Sequence, residues 1–247
     1  MIIMFDVGNT ELKMALAKNN KIIHKYRFST NPNLSDDEIY LNLYNLVKDY
    51  TFTHFVVASV VPDITYKLKA IAKKHFFLEP LILEVGTKTG LKINADNPLE
   101  VGADIVACSV GSFQVAEKAL VVDLGTAIKY LYVANNTLTG VVISPGIEIS
   151  LDALTSNTAL LPKIDLKVPK KILGTNTVNC MQSGVVFGTA AQIDGLIERI
   201  KLEVNSDFKV IITGGLAELI LPVLKTPTIY KPYLVFEGLL EILAKNI

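Results

Sequence analysis

Apolar and polar positions divide this chain into two stretches of the same order. Ile2–Val7, Leu12–Ala17 and Lys21–Phe28 read as three strands, and Lys18-Asn19-Asn20 suits a tight turn between the last two. Ser35-Asp36-Asp37-Glu38 places acids in the first turn of a helix whose apolar positions are Ile39, Leu41, Leu43 and Leu46. Phe55–Val61 is short and β-branched, as a buried parallel strand should be, and Pro62 stops it. Ile64–His75 predicts a helix, Leu81–Val85 a strand, Gly86–Pro98 a loop and Leu99–Ala116 a second helix.

The order then repeats. Ala119–Asp123, Ala127–Val133 and Thr137–Ile143 read as strands, with Asn135-Asn136 in a turn. Ser144-Pro145-Gly146 breaks the pattern before a helix that runs to about Thr155, and Thr158–Lys170 is irregular around Pro162 and Pro169. Thr177–Val204 is a long helical pattern in which Gly184, Gly188 and Gly195 lower local propensity but leave room for another helix. Val210–Ile212 predicts a strand, Gly214-Gly215 a tight turn, and Leu216–Leu224 and Phe236–Lys245 two helices. Three strands followed by alternating helix and strand, twice over, predict an α/β fold. Two ribonuclease-H-like domains are expected, mixed sheets flanked by helices, at 1–117 and 118–247.

Composition narrows the function classes. Half the residues are hydrophobic (50%), enough for a sizeable core, and the charged share of 19% is not that of a disordered chain. The 24 Lys and Arg balance 24 Asp and Glu, so no broad basic field invites nucleic acid or an anionic membrane. Cys108 and Cys180 have no metal-ligand spacing, and His24, His54 and His75 fall in different elements. No signal-peptide pattern or membrane-length apolar run is present, so a soluble cytosolic protein without a disulfide framework is expected.

The candidate chemistry sits where strands end. Met1–Phe5 delivers Asp6, after which Gly8 and Asn9, residue types that tolerate a left-handed backbone, turn the chain before Thr10. Such a turn offers N–H groups and hydroxyls to phosphate oxygens, beside an acid able to hold a metal through water. Val121-Val122-Asp123-Leu124-Gly125-Thr126 does the same 117 positions later. Two such loops around a cleft would grip a nucleotide triphosphate, and phosphoryl transfer is largely positioning plus charge neutralisation. Asp104, in Val101-Gly102-Ala103-Asp104-Ile105, follows small residues and heads a helix. Spacing alone suits a helix-start acid stabilised by the dipole at least as well as a general base.

These segments resemble the three motifs of type III pantothenate kinases, members of the actin/sugar-kinase superfamily. They are Asp6-Val7-Gly8-Asn9-Thr10, Asn97-Pro98-Leu99-Glu100-Val101-Gly102-Ala103-Asp104 and Asp123-Leu124-Gly125-Thr126-Ala127. Agreement continues through Ala58-Ser59-Val60-Val61-Pro62, Gly146, Leu161-Pro162, Gly174-Thr175-Asn176-Thr177, Met181-Gln182-Ser183-Gly184 and Thr213-Gly214-Gly215-Leu216. The resemblance implies a duplicated actin-like ATPase architecture. It also implies ATP-dependent phosphorylation of the primary hydroxyl of pantothenate, the first step of coenzyme A biosynthesis. ATP, magnesium and a monovalent cation, potassium or ammonium, are the implied cofactors, and the implied assembly is a homodimer with the substrate site near its interface.

By position, Asp6, Val7, Gly8, Asn9, Thr10, Glu11, Leu12 and Lys13 match the triphosphate loop, with Asp6 near magnesium. Thr126 matches a further phosphate contact, Asp104 the catalytic base and Asp123 the monovalent-cation ligand. Gly102, Ala103, Asp104 and Ile105 match the pantothenate loop, and Thr177 a substrate contact reached across the dimer.

Two departures stand out. The family pattern has Arg after the base, where this chain has Ile105, which can neither carry charge nor grip a carboxylate. Many relatives have a Thr pair where this chain has Ile128 and Lys129, and Lys129 brings a positive charge. A kinase-fold regulatory protein, akin to members described as transcriptional activators, and a kinase for another small alcohol are the competing readings.

Overall fold

The computed structural model describes all 247 residues. Its first apolar runs form an antiparallel meander of β1 (Ile2–Val7), β2 (Glu11–Lys18) and β3 (Lys21–Ser29). There follow α1 (Asp36–Val47), β4 (His54–Ser59), α2 (Pro62–His75), β5 (Leu81–Ile82), β6 (Lys92–Ile93) and α3 (Ala103–Ser112). The first sheet runs β3-β2-β1-β4-β5, with β4 parallel to β1 and Asp6 beside Ala58.

Local sequence explains most of these bounds. A capping box closes the start of α1: the Glu38 N–H donates to Ser35 Oγ at 3.3 Å, and the Ser35 N–H donates to Glu38 Oε2 at 2.8 Å. Pro62 stands in the first turn of α2, where its missing N–H costs nothing. The helix expected from Leu99 begins only at Ala103. Asn97 caps a single 3-10 turn over Pro98–Glu100, Val101 is extended, and Gly102 takes the N-cap. The strand expected over Leu81–Val85 shortens to Leu81–Ile82, with one further backbone bond from the Leu83 N–H to Val57 O.

The second stretch rebuilds the pattern with β7 (Lys118–Leu124), β8 (Ala127–Ala134), β9 (Thr137–Pro145), α4 (Ile147–Ser156) and α5 (Thr177–Val204). It continues through β10 (Lys209–Thr213), α6 (Ala217–Ile220) and β11 (Ile229–Tyr230), a strand that the sequence pattern did not suggest. Its strands lie in the order β11-β10-β7-β8-β9. The duplication extends to detail. Asn19-Asn20 and Asn135-Asn136 both take φ near 50° and 58°, the two left-handed residues of a tight hairpin turn. Each hairpin also slips register once, at Leu16/Ala17 and at Tyr132/Val133.

The last helix, α7 (Leu234–Ala244), departs from a simple halving of the chain. One compact unit comprises Met1–Phe113 with Tyr233–Ile247, the other Gln114–Pro232, in place of the expected 1–117 and 118–247. Two glycines explain the return of α7 to the first unit. A Cβ on Gly238 would collide with Ala107 O, and one on Gly111 with Leu234 O, so α3 and α7 touch backbone to backbone. Around that contact Val106, Val110, Phe236, Leu239 and Ile242 join one buried cluster. No helix is long and apolar enough to cross a membrane.

Candidate active site

In the first unit the chemistry gathers at the carboxyl ends of two adjacent parallel strands, the usual place for a ligand in such sheets. Asp6, 6% exposed near the end of β1, lies opposite Lys13 of β2, and its Oδ2 is 3.2 Å from Lys13 Nζ. Gly8, Asn9 and Thr10 connect the two strands, closed by the Gly8 N–H donating to Glu11 O at 2.9 Å. Contrary to the sequence reading, neither Gly8 nor Asn9 takes a positive φ. The turn is instead clamped from outside by Thr30, whose hydroxyl donates to Gly8 O at 2.7 Å and whose N–H donates to Thr10 O at 2.9 Å. Asn9 and Thr10 are exposed at the tip, whereas Val7 and Leu12 are buried core residues that leave only backbone for phosphates. The sequence reading missed Thr30, which carries no local signal.

Asp104 enters the same region from α3. The chain leaves β4 through Val60, whose N–H donates to Val7 O at 3.0 Å. A Cβ on Gly102 would lie 3.3 Å from Val60 Cγ1, so the loop before α3 rests on the end of β4. Asp104 sits in the first turn of α3, its Oδ1 accepting the Ile105 N–H at 2.9 Å. Carboxylate and helix N-terminus attract, so the side chain is held by the element that carries it. Ala103 and Ile105 flank it, half-buried.

In the second unit Asp123, 9% exposed, ends the corresponding strand and lies opposite Lys129 of β8. Lys129 Nζ is 2.9 Å from Asp123 Oδ2, with the two side chains only 16% and 13% exposed. The segment from Leu124 to Thr126 is wedged between two glycines. The Gly146 N–H donates to Thr126 O at 3.1 Å, and a Cβ at Gly146 would strike that oxygen. Gly214 adopts φ +98°, and a Cβ there would stand 2.5 Å from the Leu124 nitrogen. Thr126 itself is exposed. Both glycines were legible as breaks in the pattern; what they press against was not.

Thr177 opens α5, exposed, beside the N-cap Asn176, whose Oδ1 accepts the Asn179 N–H at 2.9 Å. No acid occupies that first turn. No group of three or more His, Cys, Asp or Glu residues is arranged to hold a metal ion. A divalent ion at Asp6 would therefore take most of its oxygen ligands from phosphates and water, as magnesium readily does.

Comparison with known proteins identifies the family. The family model described as type III pantothenate kinase matches residues 2–199. A type III pantothenate kinase of Acholeplasma laidlawii is 46% identical over 247 residues, covering 100% of both chains. That of Halalkalibacterium halodurans is 38% identical over 255 residues, again covering 100% of each. Among solved structures, component A of (R)-2-hydroxyglutaryl-CoA dehydratase from Acidaminococcus fermentans superposes with a TM-score of 0.54 at 14% identity. The match covers 98% of this chain and 95% of that one. At that identity the likeness speaks for the fold alone, which is the actin-like ATPase arrangement expected from the sequence.

Proposed function

The chain belongs to the type III pantothenate kinase family, and from that premise we propose how its residues divide the work. The activity is phosphorylation of pantothenate with ATP, in coenzyme A biosynthesis. The observation that carries the assignment of roles is the placement of Asp104. It stands at the start of α3, beside the strand end next to Asp6, with a glycine leaving its carboxylate room. In that role Asp104 accepts the proton of the pantothenate hydroxyl as its oxygen bonds to the γ-phosphorus. The bond to the β-phosphate oxygen breaks, and ADP leaves.

In this reading the backbone and hydroxyls of the Asp6–Lys13 turn serve as phosphate contacts in the first unit, and those of Gly125-Thr126 do so in the second. Lys13 is within reach of them from its place beside Asp6. Magnesium, when bound with the nucleotide, would supply charge neutralisation to the phosphates, and Asp6 would hold it through water. A potassium or ammonium ion at Asp123 fits less well, because that carboxylate already holds the Lys129 ammonium at 2.9 Å.

A homodimer is supported by the surface of the second unit. Val141, Val142 and Ile143 of β9, Ile149 and Leu154 of α4, and Ile172, Leu173 and Val178 are all exposed. Gly184, Gly188 and Gly195 of α5 face open space, as a helix awaiting a close neighbour would. Thr177 heads that helix, where open N–H groups would favour a substrate carboxylate. Cys108 and Cys180 form no disulfide, which suits a reducing cytoplasm.

A coupled ATP-consumption assay over pantothenate, pantetheine and a panel of small alcohols tests the assignment. ADP release is expected with pantothenate and is lost in Asp104→Asn. Near-normal turnover in that variant would remove Asp104 from the role of base.

A further inference from the structure

We propose that Lys129 is a built-in counter-ion that takes the place of a bound monovalent cation at Asp123, so that nucleotide binding and turnover need neither potassium nor ammonium. The inference rests on the reading that the Asp123–Thr126 loop faces the phosphates. The position of the pair is fixed by the sheet. Asp123 and Lys129 are opposed residues of the β7–β8 ladder, so their Cα atoms are neighbours whatever the side chains do. Nζ and Oδ2 then meet at 2.9 Å with little solvent around them, the geometry of a charge-assisted hydrogen bond. The loop that follows cannot drift away from the pair, because Gly146 and Gly214 pin Thr126 and Leu124 through backbone contacts.

Charge and size do the rest. A lysine ammonium carries the same single charge as potassium and offers hydrogen bonds where potassium offers coordination. A free monovalent ion entering beside Asp123 would face like-charge repulsion from Lys129. It would also have to break a partly buried ion pair that screening hardly weakens. Being tethered, the lysine supplies its charge at an occupancy that no buffer composition changes. The first unit repeats the cross-strand register only, with Lys13 opposing Asp6 across β1 and β2 at a looser 3.2 Å. The two lysines thus stand at equivalent places in the repeated hairpins, one beside each phosphate-binding loop.

The test is ATP binding by the full-length protein, measured calorimetrically with magnesium in potassium, sodium, ammonium and choline chlorides at equal ionic strength. Wild-type Kd values should agree within about 2-fold across the four salts, and turnover of pantothenate should follow them. In Lys129→Ala, with its fold checked by circular dichroism, affinity in choline should fall by roughly 10-fold, and potassium or ammonium should restore most of it. Lys129→Arg should keep the wild-type indifference. A wild type whose ATP affinity rises 10-fold or more from choline to potassium overturns the proposal, as does a folded Lys129→Ala that no small cation rescues. If Lys129→Ala does not fold, the wild-type salt series decides by itself. Because the readout is ATP binding, failure of pantothenate as substrate would show separately, as an absence of turnover with ATP affinity intact.

Discussion

The Asp104 carboxylate occupies the space that a side chain at Gly102 would need. A Cβ on Gly102 would stand 2.6 Å from Asp104 Oδ1, closer than any real contact tolerates. Gly102→Ala should therefore leave the fold intact and swing the carboxylate away from its place. A fall in kcat of about 10-fold or more is expected, with the KM for ATP little changed. Asp104→Asn sets the floor, roughly 10²–10⁴-fold down, the usual contribution of a positioned base. Steady-state kinetics of the two variants decide the matter, and a Gly102→Ala enzyme with wild-type kcat would refute it.

Ile105 is the next residue on α3, half-buried beside Asp104, the proposed base. An arginine there would add charge and donors for the substrate carboxylate. A charge-assisted hydrogen bond is worth about 1.5–3 kcal/mol, or roughly 10- to 150-fold in affinity. Ile105→Arg should lower the KM for pantothenate within that range and leave the one for ATP unchanged. An unchanged or raised KM for pantothenate would show that another group already meets the carboxylate.

Gly238 carries the contact that holds α3 in place, since any Cβ there meets Ala107 O. Gly238→Ala should cost about 1–3 kcal/mol, the usual penalty for overpacking a core. The loss should appear as a lower thermal midpoint, and activity should fall further than stability because Asp104 rides on the displaced helix. A variant as stable and active as wild type would mean that the two helices separate at no cost.

Tyr130 and Ser144 bury their hydroxyls in the second unit, and neither makes a hydrogen bond of good geometry. Burial pushes the Tyr130 phenol from 10.0 up to about 12, against a small opposing effect of the neighbouring Ser144 hydroxyl. The unfolded chain thus loses this proton first as pH rises. The contribution is absent below pH 10 and destabilises the fold progressively between about 10 and 12. Tyr130→Phe should be neutral or stabilising by about 1 kcal/mol at pH 7, because a buried hydroxyl without a partner is removed. The variant should also lose less stability in alkali, as denaturant titrations at pH 7 and pH 11 would reveal. A strongly destabilised variant would point to a hydrogen bond to that hydroxyl.

Assembly predicts complementation. If Thr177 of one subunit serves the substrate of its neighbour, heterodimers of Asp104→Asn with Thr177→Val subunits should regain part of the lost activity. One hybrid site in each such dimer would be intact. Verified heterodimers without any rescue would sink the shared site.

What the sequence alone determined here is whatever depends on neighbours along the chain. Alternating apolar runs placed the two sets of three strands, Asn-Asn pairs marked both hairpin turns, and the helical period of Thr177–Val204 matched the observed helix end to end. The family motifs placed Asp6, Asp104 and Asp123 on strand ends and a helix start because those features are local too. The tertiary structure decided what depends on distant residues. The start of α3 moved to Ala103, where Gly102 packs against Val60 from the end of β4, against the helical pattern of Leu99–Glu100. The turn between β1 and β2 needed no left-handed residue once Thr30, twenty positions beyond its tip, clamped it from β3's end. The C-terminal helix joined the first unit through glycine contacts that no periodicity encodes. Lys129, legible only as a charge in the wrong place, found Asp123 because antiparallel register sets two residues side by side whatever their separation in sequence.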